Sequence, residues 1–192
     1  MDYRGDTYYI KQVLDGNVNA FTFIVDRHKD HAFNLAMRIC GNREEAEEVA
    51  QDSFMKAWRS LKQFKMKSSF ATWLYRIVYN TAVSLIRTRK KGILSLEEFP
   101  ADITDFTGNN ITDEEAELEY RNSLLNFALQ KISDEERALI TLYYFEESTI
   151  DEIAEVTGLG KSNVKVKLFR ARQKMGGVIE KTEKKKLLYY ER

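Results

Sequence analysis

Residues that interrupt helices are scarce in this chain of 192 residues. There is one proline, Pro100, and there are nine glycines, so little in the sequence prevents a helix from continuing. The single cysteine, Cys40, excludes an intramolecular disulfide framework and fits a reducing compartment. Hydrophobic residues make up 43% of the chain, which is enough to bury a globular core. We therefore expect an all-α protein with one large domain or two small ones.

Long apolar runs and catalytic motifs are also missing. No stretch approaches the ~18 apolar residues of a membrane span, and the N-terminus lacks the apolar segment of a signal peptide. The sequence has no P-loop, no HExxH motif, no Ser/His/Asp set and no paired carboxylates in a predicted cleft. We therefore expect a cytoplasmic protein without membrane insertion, without a cofactor and without enzymatic activity.

The net charge of the chain is zero, but long segments lack either acidic or basic residues. Between Ser53 and Lys91 there are ten basic residues and no acidic one, whereas Gly92 to Glu119 holds nine acidic residues and no basic one. The segment 158–192 is basic again, with eleven Lys or Arg against three Glu. Two basic surfaces separated by an acidic connector predict a protein that contacts a polyanion at two places.

The acidic connector is the predicted domain boundary, because it contains Pro100 and a Gly-Asn-Asn run and shows no helical periodicity. We expect two small helical domains joined by a flexible acidic linker. The predicted limits are 1–91 for the first domain, 92–112 for the linker, 113–180 for the second domain and 181–192 for a basic tail.

Apolar spacing predicts the helices of the first domain. In the longest helix, from Phe70 to about Arg89, we expect Tyr75 and Tyr79 to lie outside the buried apolar stripe, at its flanks or facing solvent. A break in an earlier helix is expected near Lys29-Asp30. The full set of expected helices is 7–14, 19–40, 43–61 and 70–89. In the second domain, the capping-box candidates Thr112/Glu115, Ser133/Glu136 and Thr149/Glu152 predict a bundle of short helices.

The segment Ile150–Phe169 has the pattern of a helix-turn-helix. Ala154 is small where two helices cross closely, Gly158 can adopt the positive φ of the turn, and Val164 anchors the second helix. The opposite face of that helix is basic and suits the major groove of duplex DNA. An αα-hairpin with a solvated basic helix is the structural alternative. The predicted DNA-contacting residues are Lys161, Ser162, Asn163, Lys165, Val166, Lys167, Phe169, Arg170 and Arg172.

The first basic block is interleaved with aromatic residues, a combination typical of surfaces that bind unpaired bases. We expect Trp58, Phe70 and Trp73 to belong to the core instead. The loop Lys65-Met66-Lys67-Ser68-Ser69 and the exposed Asn80 do not fit a core, so they are candidates for base and phosphate contacts.

Two motifs resemble regions 2 and 4 of the bacterial sigma-70 family. The run AEEVAQDSFMKAW from Ala46 to Trp58, followed by Phe64 and by SFATWLYRIVYN from Ser69 to Asn80, resembles region 2. The run EIAE from Glu152 to Glu155, with NVKVKLFRAR from Asn163 to Arg172, resembles region 4. The short linker without an intervening domain is similar to the extracytoplasmic-function (ECF) class.

The resemblance implies a subunit that binds core RNA polymerase and promoter DNA, reading the −35 element as duplex and the −10 element as melted single strand. It further implies an anti-sigma factor as partner, and we expect the free chain to be a monomer. The acidic linker would then pass through a basic channel of the polymerase; a solvated, disordered spacer is the alternative.

The resemblance also assigns residues to these roles. The polymerase-docking face maps to Glu48, Gln51, Asp52 and Lys56. The residues that contact the −35 element in the family match Lys165, Val166, Lys167, Phe169 and Arg170 of this chain. Val166 departs from the polar residue often found at its position. The −10 contacts, a flipped base and backbone phosphates, map to Lys65, Met66, Lys67, Ser68, Ser69, Arg76, Asn80 and Arg87.

Other readings of the sequence predict different behaviour. A stand-alone helix-turn-helix regulator with an N-terminal dimerisation or sensor domain would bind a palindromic duplex without polymerase. An anti-sigma factor or adaptor should lack one of the two DNA-reading surfaces. His28, His31 and Cys40 are ligand types for zinc, but a fourth ligand is missing, so we expect no metal site.

Overall fold

The computed structural model describes the backbone of residues 5–92 and 113–190 and the side chains of residues 5–89 and 117–184. The described chain is α-helical with two short 3-10 turns and contains no strand, which confirms the all-α prediction. Residues 93–112, which make up nearly all of the predicted acidic linker, lie outside the described residues. The helices are α1 (Asp6–Leu14), α2 (Phe21–Cys40), α3 (Arg43–Ser60), α4 (Phe70–Gly92), α5 (Asp113–Gln130), α6 (Asp134–Tyr144), α7 (Ile150–Thr157) and α8 (Lys161–Tyr190).

The ends of these helices follow from residue types that cap or terminate helices. Gly41 ends α2 with a φ of 73°, a left-handed conformation that glycine adopts without a steric penalty. Asn42 then caps α3, because its side chain accepts a hydrogen bond from the backbone N–H of Glu45 at 3.1 Å. Ser133 and Thr149 form capping boxes at α6 and α7, as predicted. Thr112, the third candidate, lies outside the described residues.

One predicted helix break is wrong. The helix α2 runs without interruption through Lys29 and Asp30, both of which are exposed to solvent. Two charged residues on a solvated face remove no backbone donor and require no positive φ, so they do not end a helix. The residues that actually set the limits of α2 are its C-terminal glycine and the 3-10 turn Val18–Ala20 before it.

The N-terminal domain is a bundle in which α2, α3 and α4 pack on one another. Its core includes Ile24, Leu35, Val49, Leu74 and Val78, all nearly inaccessible to water. Burying a side chain of this size stabilises the fold by about 1.5–3 kcal/mol. Of the aromatic residues expected in the core, Phe70 is buried, whereas Trp58 and Trp73 are half-buried.

The C-terminal domain comprises α5 to α8. The apolar sides of α7 and α8 meet through Ile153, Val164, Leu168 and Ala171, which are buried as the helix-turn-helix pattern predicts. The helix α8 continues through most of the predicted basic tail, as far as Tyr190. No helix in the described part of the chain is long and apolar enough to cross a membrane.

The two helical domains pack against each other. The helix α7 lies on α4, and α6 lies on α2. This contact overturns the expectation that Tyr75 and Tyr79 point toward solvent, because their exposed fractions are only 6% and 8%. The Tyr75 hydroxyl donates a hydrogen bond to Glu146 at 2.6 Å, across the domain contact. Burial, followed by this hydrogen bond to a carboxylate, raises the pKa of Tyr75.

The capping box of α6 predicts a pH-dependent stability. Glu136 bonds Ser133 and also accepts a hydrogen bond from Lys174 of α8 at 2.6 Å. Desolvation raises the pKa of this carboxyl, but the hydrogen bonds from Lys174 and Ser133 outweigh it, so the pKa lies below 4.5. A carboxyl with a lowered folded pKa stabilises the fold above its unfolded pKa, and this contribution is lost as the pH falls through the folded pKa.

We expect Glu136→Gln to lower the free energy of unfolding by about 1 kcal/mol at neutral pH. The difference from the unsubstituted protein should shrink below pH 4.5, the ordinary glutamate value. Urea denaturation followed by circular dichroism across this range measures it. Glu180→Gln is the control, because Glu180 pairs only with the exposed Lys184 one turn away. A difference that is constant with pH would contradict the assignment.

Candidate nucleic-acid interface

The helix-turn-helix presents one exposed face of α8. The turn between α7 and α8 passes through Gly158, whose φ of 75° confirms the predicted left-handed conformation. With the apolar anchors buried, Val166 and Phe169 remain exposed at 45% and 53%. Eight of the nine predicted duplex-contacting residues are exposed, and Lys167 is half-buried. The N-terminal part of α8 is therefore a basic surface with two apolar side chains on it.

The basic residues of this surface differ in their intramolecular partners. Lys167 pairs with Glu135 at 2.7 Å, which holds its ammonium against α6. Lys161 pairs with Asp151 at 2.7 Å, and Arg172 donates to the Tyr144 hydroxyl at 3.1 Å. Lys165 and Arg170 have no ion pair within the described residues. These two cations are therefore the ones that need not release an intramolecular partner to meet DNA.

The predicted polymerase-docking residues share one exposed face of α3. Glu48, Gln51 and Asp52 are accessible to solvent, and Glu48 lies one helical turn before the other two, which are three and four residues further along α3. Lys56 is also exposed, but its ammonium donates a hydrogen bond to the Thr81 hydroxyl at 2.9 Å. Lys56 therefore links α3 to α4 at the edge of this face.

The loop between α3 and α4, residues 64–69, has an unusual backbone. Met66 has a φ of 53°, in the left-handed region that residues other than glycine seldom occupy. At the end of the loop, the Ser69 side chain accepts a hydrogen bond from the Thr72 backbone N–H at 3.0 Å and so caps α4. The loop is thus fixed at its C-terminal end, and it holds Lys65 and Lys67 exposed to solvent.

A cavity of about 210 Å³ lies beside this loop. We call it the loop cavity; its lining residues are Asp6, Thr7, Ile10, Phe64, Met66, Ser68, Ser69 and Phe70. The rings of Phe64, Phe70 and Trp73 form a cluster with centroids 4.9–5.9 Å apart. Aromatic faces beside hydroxyl and carboxylate groups can hold one unstacked base by stacking and edge contacts.

The loop residues that line the loop cavity were singled out from sequence, but the residues that α1 contributes were not. Asp6, Thr7 and Ile10 come from α1, about sixty residues earlier in the chain. No local pattern connects α1 to the loop, so sequence reasoning missed them. Asn80 lies ten residues beyond Phe70 in α4, about 15 Å along the helix axis. Its side-chain amide donates to the Arg76 carbonyl at 2.8 Å, so the structure does not bring Asn80 to the loop cavity.

Carboxylates of the C-terminal domain cover part of the predicted single-strand surface. Ser68 donates a hydrogen bond to Glu155 at 2.8 Å, and Thr72 donates to Glu152 at 3.1 Å. Arg76, Asn80 and Arg87 remain exposed. The acidic edge of α7 therefore occupies the rim of the loop, while the solvent side of α4 stays open.

The residues considered for zinc have separate environments. His28 lies 2.9 Å from Asp6, and His31 lies 2.8 Å from Glu146 on the other domain. Cys40 is buried, and desolvation raises the pKa of its thiol to about 11. A cluster of three or more His, Cys, Asp or Glu side chains suited to a metal is not found among the described residues.

Family models match both domains. Residues 24–92 match the model for Sigma-70 region 2, and residues 124–175 match the model for Sigma-70, region 4. The chain is 33% identical over 176 residues to the "ECF RNA polymerase sigma factor SigW" of Bacillus subtilis. That alignment covers 85% of this chain and 91% of SigW.

Two solved structures share this fold. CnrH, solved in complex with the cytosolic domain of CnrY, is 27% identical with a TM-score of 0.63, covering 91% of this chain and 97% of CnrH. RpoE of Bartonella quintana, solved with the anti-sigma factor NepR, is 22% identical with a TM-score of 0.64, covering 83% and 96%. The match to SigW over most of both chains, with regions 2 and 4 in order, shows that this chain belongs to the extracytoplasmic-function class of the sigma-70 family.

Proposed function

We propose that this sigma factor directs core RNA polymerase to promoters by dividing recognition between its two domains. The C-terminal domain binds the −35 element as duplex, and the N-terminal domain binds the −10 element as single strand. The observation that carries this proposal is the exposed basic face of α8, whose opposite side is buried against α5, α6 and α7. A helix held in this way can enter a major groove without disturbing its own packing.

On the −35 side, Lys165 and Arg170 are free to donate to guanine edges or to phosphates. Phe169 and Val166 offer apolar contact, which suits a thymine methyl group or a sugar. The other predicted −35 residues surround them, and Lys161, Lys167 and Arg172 would exchange an intramolecular partner for a phosphate.

On the −10 side, the loop cavity receives one flipped base, and the exposed Lys65 and Lys67 hold neighbouring phosphates. Arg76 and Arg87 extend this basic surface along α4. Because Asn80 lies about 15 Å from the start of α4, it contacts a different nucleotide from the one in the loop cavity.

The remaining assignments concern partners and domain limits. Glu48, Gln51, Asp52 and Lys56 dock on core polymerase, since a mixed-charge face suits a protein better than DNA. An anti-sigma factor is a further partner, supported by CnrH and RpoE, which were each solved with a second protein. The free chain is a cytoplasmic monomer. Its N-terminal domain ends near residue 91, and its C-terminal domain begins near residue 113 after the acidic linker.

Run-off transcription with core polymerase tests the proposal. We expect a defined start site on cognate promoter DNA only when this chain is added. Specific duplex binding by the chain alone, with no promoter-dependent start in the presence of polymerase, would instead support the stand-alone regulator.

The division of the N-terminal domain predicts opposite phenotypes for two substitutions. We expect Asn80→Ala to weaken binding of the holoenzyme to −10 single strand about fivefold, since one amide contact is lost, and to leave polymerase binding unchanged. Asp52→Lys should weaken polymerase binding and leave the affinity of the assembled holoenzyme for DNA unchanged. Fork-junction DNA binding and competition for core polymerase measure the two effects. Asn122→Ala, at an exposed position of α5, is the control; equal losses in both assays would contradict the division.

The carboxylates of α7 that accept hydrogen bonds from Ser68 and Thr72 predict that the free chain binds single-stranded DNA poorly. Glu155→Ala removes the acceptor of the Ser68 hydrogen bond and a negative charge beside the expected phosphate path. We expect the affinity of the free chain for −10 single strand to rise about threefold. Fluorescence anisotropy with labelled DNA measures it. Glu44→Ala makes the same charge change at an exposed site on α3, and an equal rise there would mean that only net charge matters.

A further inference from the structure

We propose that Asp6 makes the loop cavity selective for cytosine or adenine, whose exocyclic amino group occupies the ring position at which thymine and guanine carry a carbonyl oxygen, so that thymine is rejected. This inference rests on the proposed −10 function of the loop cavity and adds a specificity-determining residue to it. That residue comes from α1, outside the segment that matches the region 2 model.

Asp6 is the one charged residue that lines the loop cavity in the described structure. The other polar side chains there are hydroxyls, and two of them have partners: Ser68 bonds Glu155 and Ser69 bonds Thr72. Phe64 and Phe70 supply the apolar walls. Phe70 is only 3% exposed, so Phe64 is the ring that an entering base meets. Stacking on this ring does not distinguish one base from another, so discrimination depends on the polar group that meets the base edge.

The carboxylate of Asp6 is held in place from the side of α2. One oxygen accepts a hydrogen bond from Arg27 at 2.6 Å, and the other lies 2.9 Å from the His28 ring nitrogen. His28 is itself buried, and its ring centroid lies 5.3 Å from that of Phe70. A side chain fixed by two partners keeps its orientation when a ligand enters.

These contacts keep Asp6 ionised with room for another donor. Burial raises the pKa of its carboxyl, but the hydrogen bonds and charges of His28 and Arg27 outweigh that effect and lower it. Each carboxylate oxygen has two acceptor sites, so one partner on each oxygen leaves capacity for a further hydrogen bond.

An ionised carboxylate accepts hydrogen bonds and cannot donate them. The amino group of cytosine or adenine supplies a donor at the position where thymine presents a carbonyl oxygen. Thymine in the loop cavity would place two acceptors against each other and leave both desolvated, which is costly. The positive charge of Arg27 offsets the repulsion between Asp6 and the DNA backbone.

The test uses holoenzyme and fork-junction DNA with each base of the −10 single strand varied in turn. The amino group is removed by replacing cytosine with 2-pyrimidinone, or adenine with purine. At one position we expect this removal to weaken binding to the unsubstituted protein about tenfold. In Asp6→Asn the same removal should change binding less than twofold, because an amide can donate as well as accept.

Asp26→Asn is the matched control, since Asp26 is an exposed aspartate of α2 paired only with Lys29. It should retain the full effect of amine removal. Equal effects of amine removal in the unsubstituted protein and in Asp6→Asn at every position would overturn the inference. So would a preference for thymine at the position where amine removal weakens binding.

If Asp6→Asn fails to fold, modified DNA with the unsubstituted protein still decides the question. If amine removal has no effect at any position, the loop cavity does not recognise an exocyclic amino group. Failure of the proposed function would appear differently, as no promoter-dependent start on unmodified DNA.

Discussion

The buried carboxylate of Glu146 joins the two helical domains. Its side chain is 3% exposed, and it bonds Tyr75 of α4 at 2.6 Å while lying 2.8 Å from His31 of α2. Next to it, the Arg38 guanidinium lies 3.6 Å from the centre of the Phe145 ring. A buried charge is tolerated only with partners, so the loop between α6 and α7 has to stay against α2 and α4 for Glu146 to be satisfied. The placement of α7 on α4 and on the rim of the loop follows from this contact.

The same surface therefore serves two purposes. Ser68 and Thr72 bond carboxylates of α7 in this arrangement, yet they border the loop that we assign to a flipped base. Carboxylates satisfy hydroxyl donors as phosphate oxygens do, so α7 stabilises the loop in this arrangement. In the function we propose, α7 would therefore compete with DNA for the loop. The zero net charge of the chain acts in the same direction, since it provides no long-range attraction to DNA in the absence of polymerase.

Much of the fold could be predicted because its causes are local. Gly41, Asn42 and the capping boxes of Ser133 and Thr149 set helix ends through contacts within four residues, which the sequence displays directly. The helix-turn-helix was predicted for the same reason. The break near Lys29-Asp30 was wrong because charge alone does not end a helix. Lys167 was predicted to lie on the exposed DNA-contacting face, but it is half-buried against Glu135, which lies 32 residues away in the sequence.

The sequence by itself determined the helices, the helix-turn-helix, the blocks of charge and the family resemblance. Only the tertiary structure decided that Tyr75 is buried, that α7 occupies the rim of the loop and that α1 completes the loop cavity. The physical reason is separation along the chain. His31 and Glu146 are 115 residues apart, and Asp6 and His28 are 22 apart. Periodicity reports which face of a helix is apolar, but it does not state which distant helix will cover a face of mixed polarity.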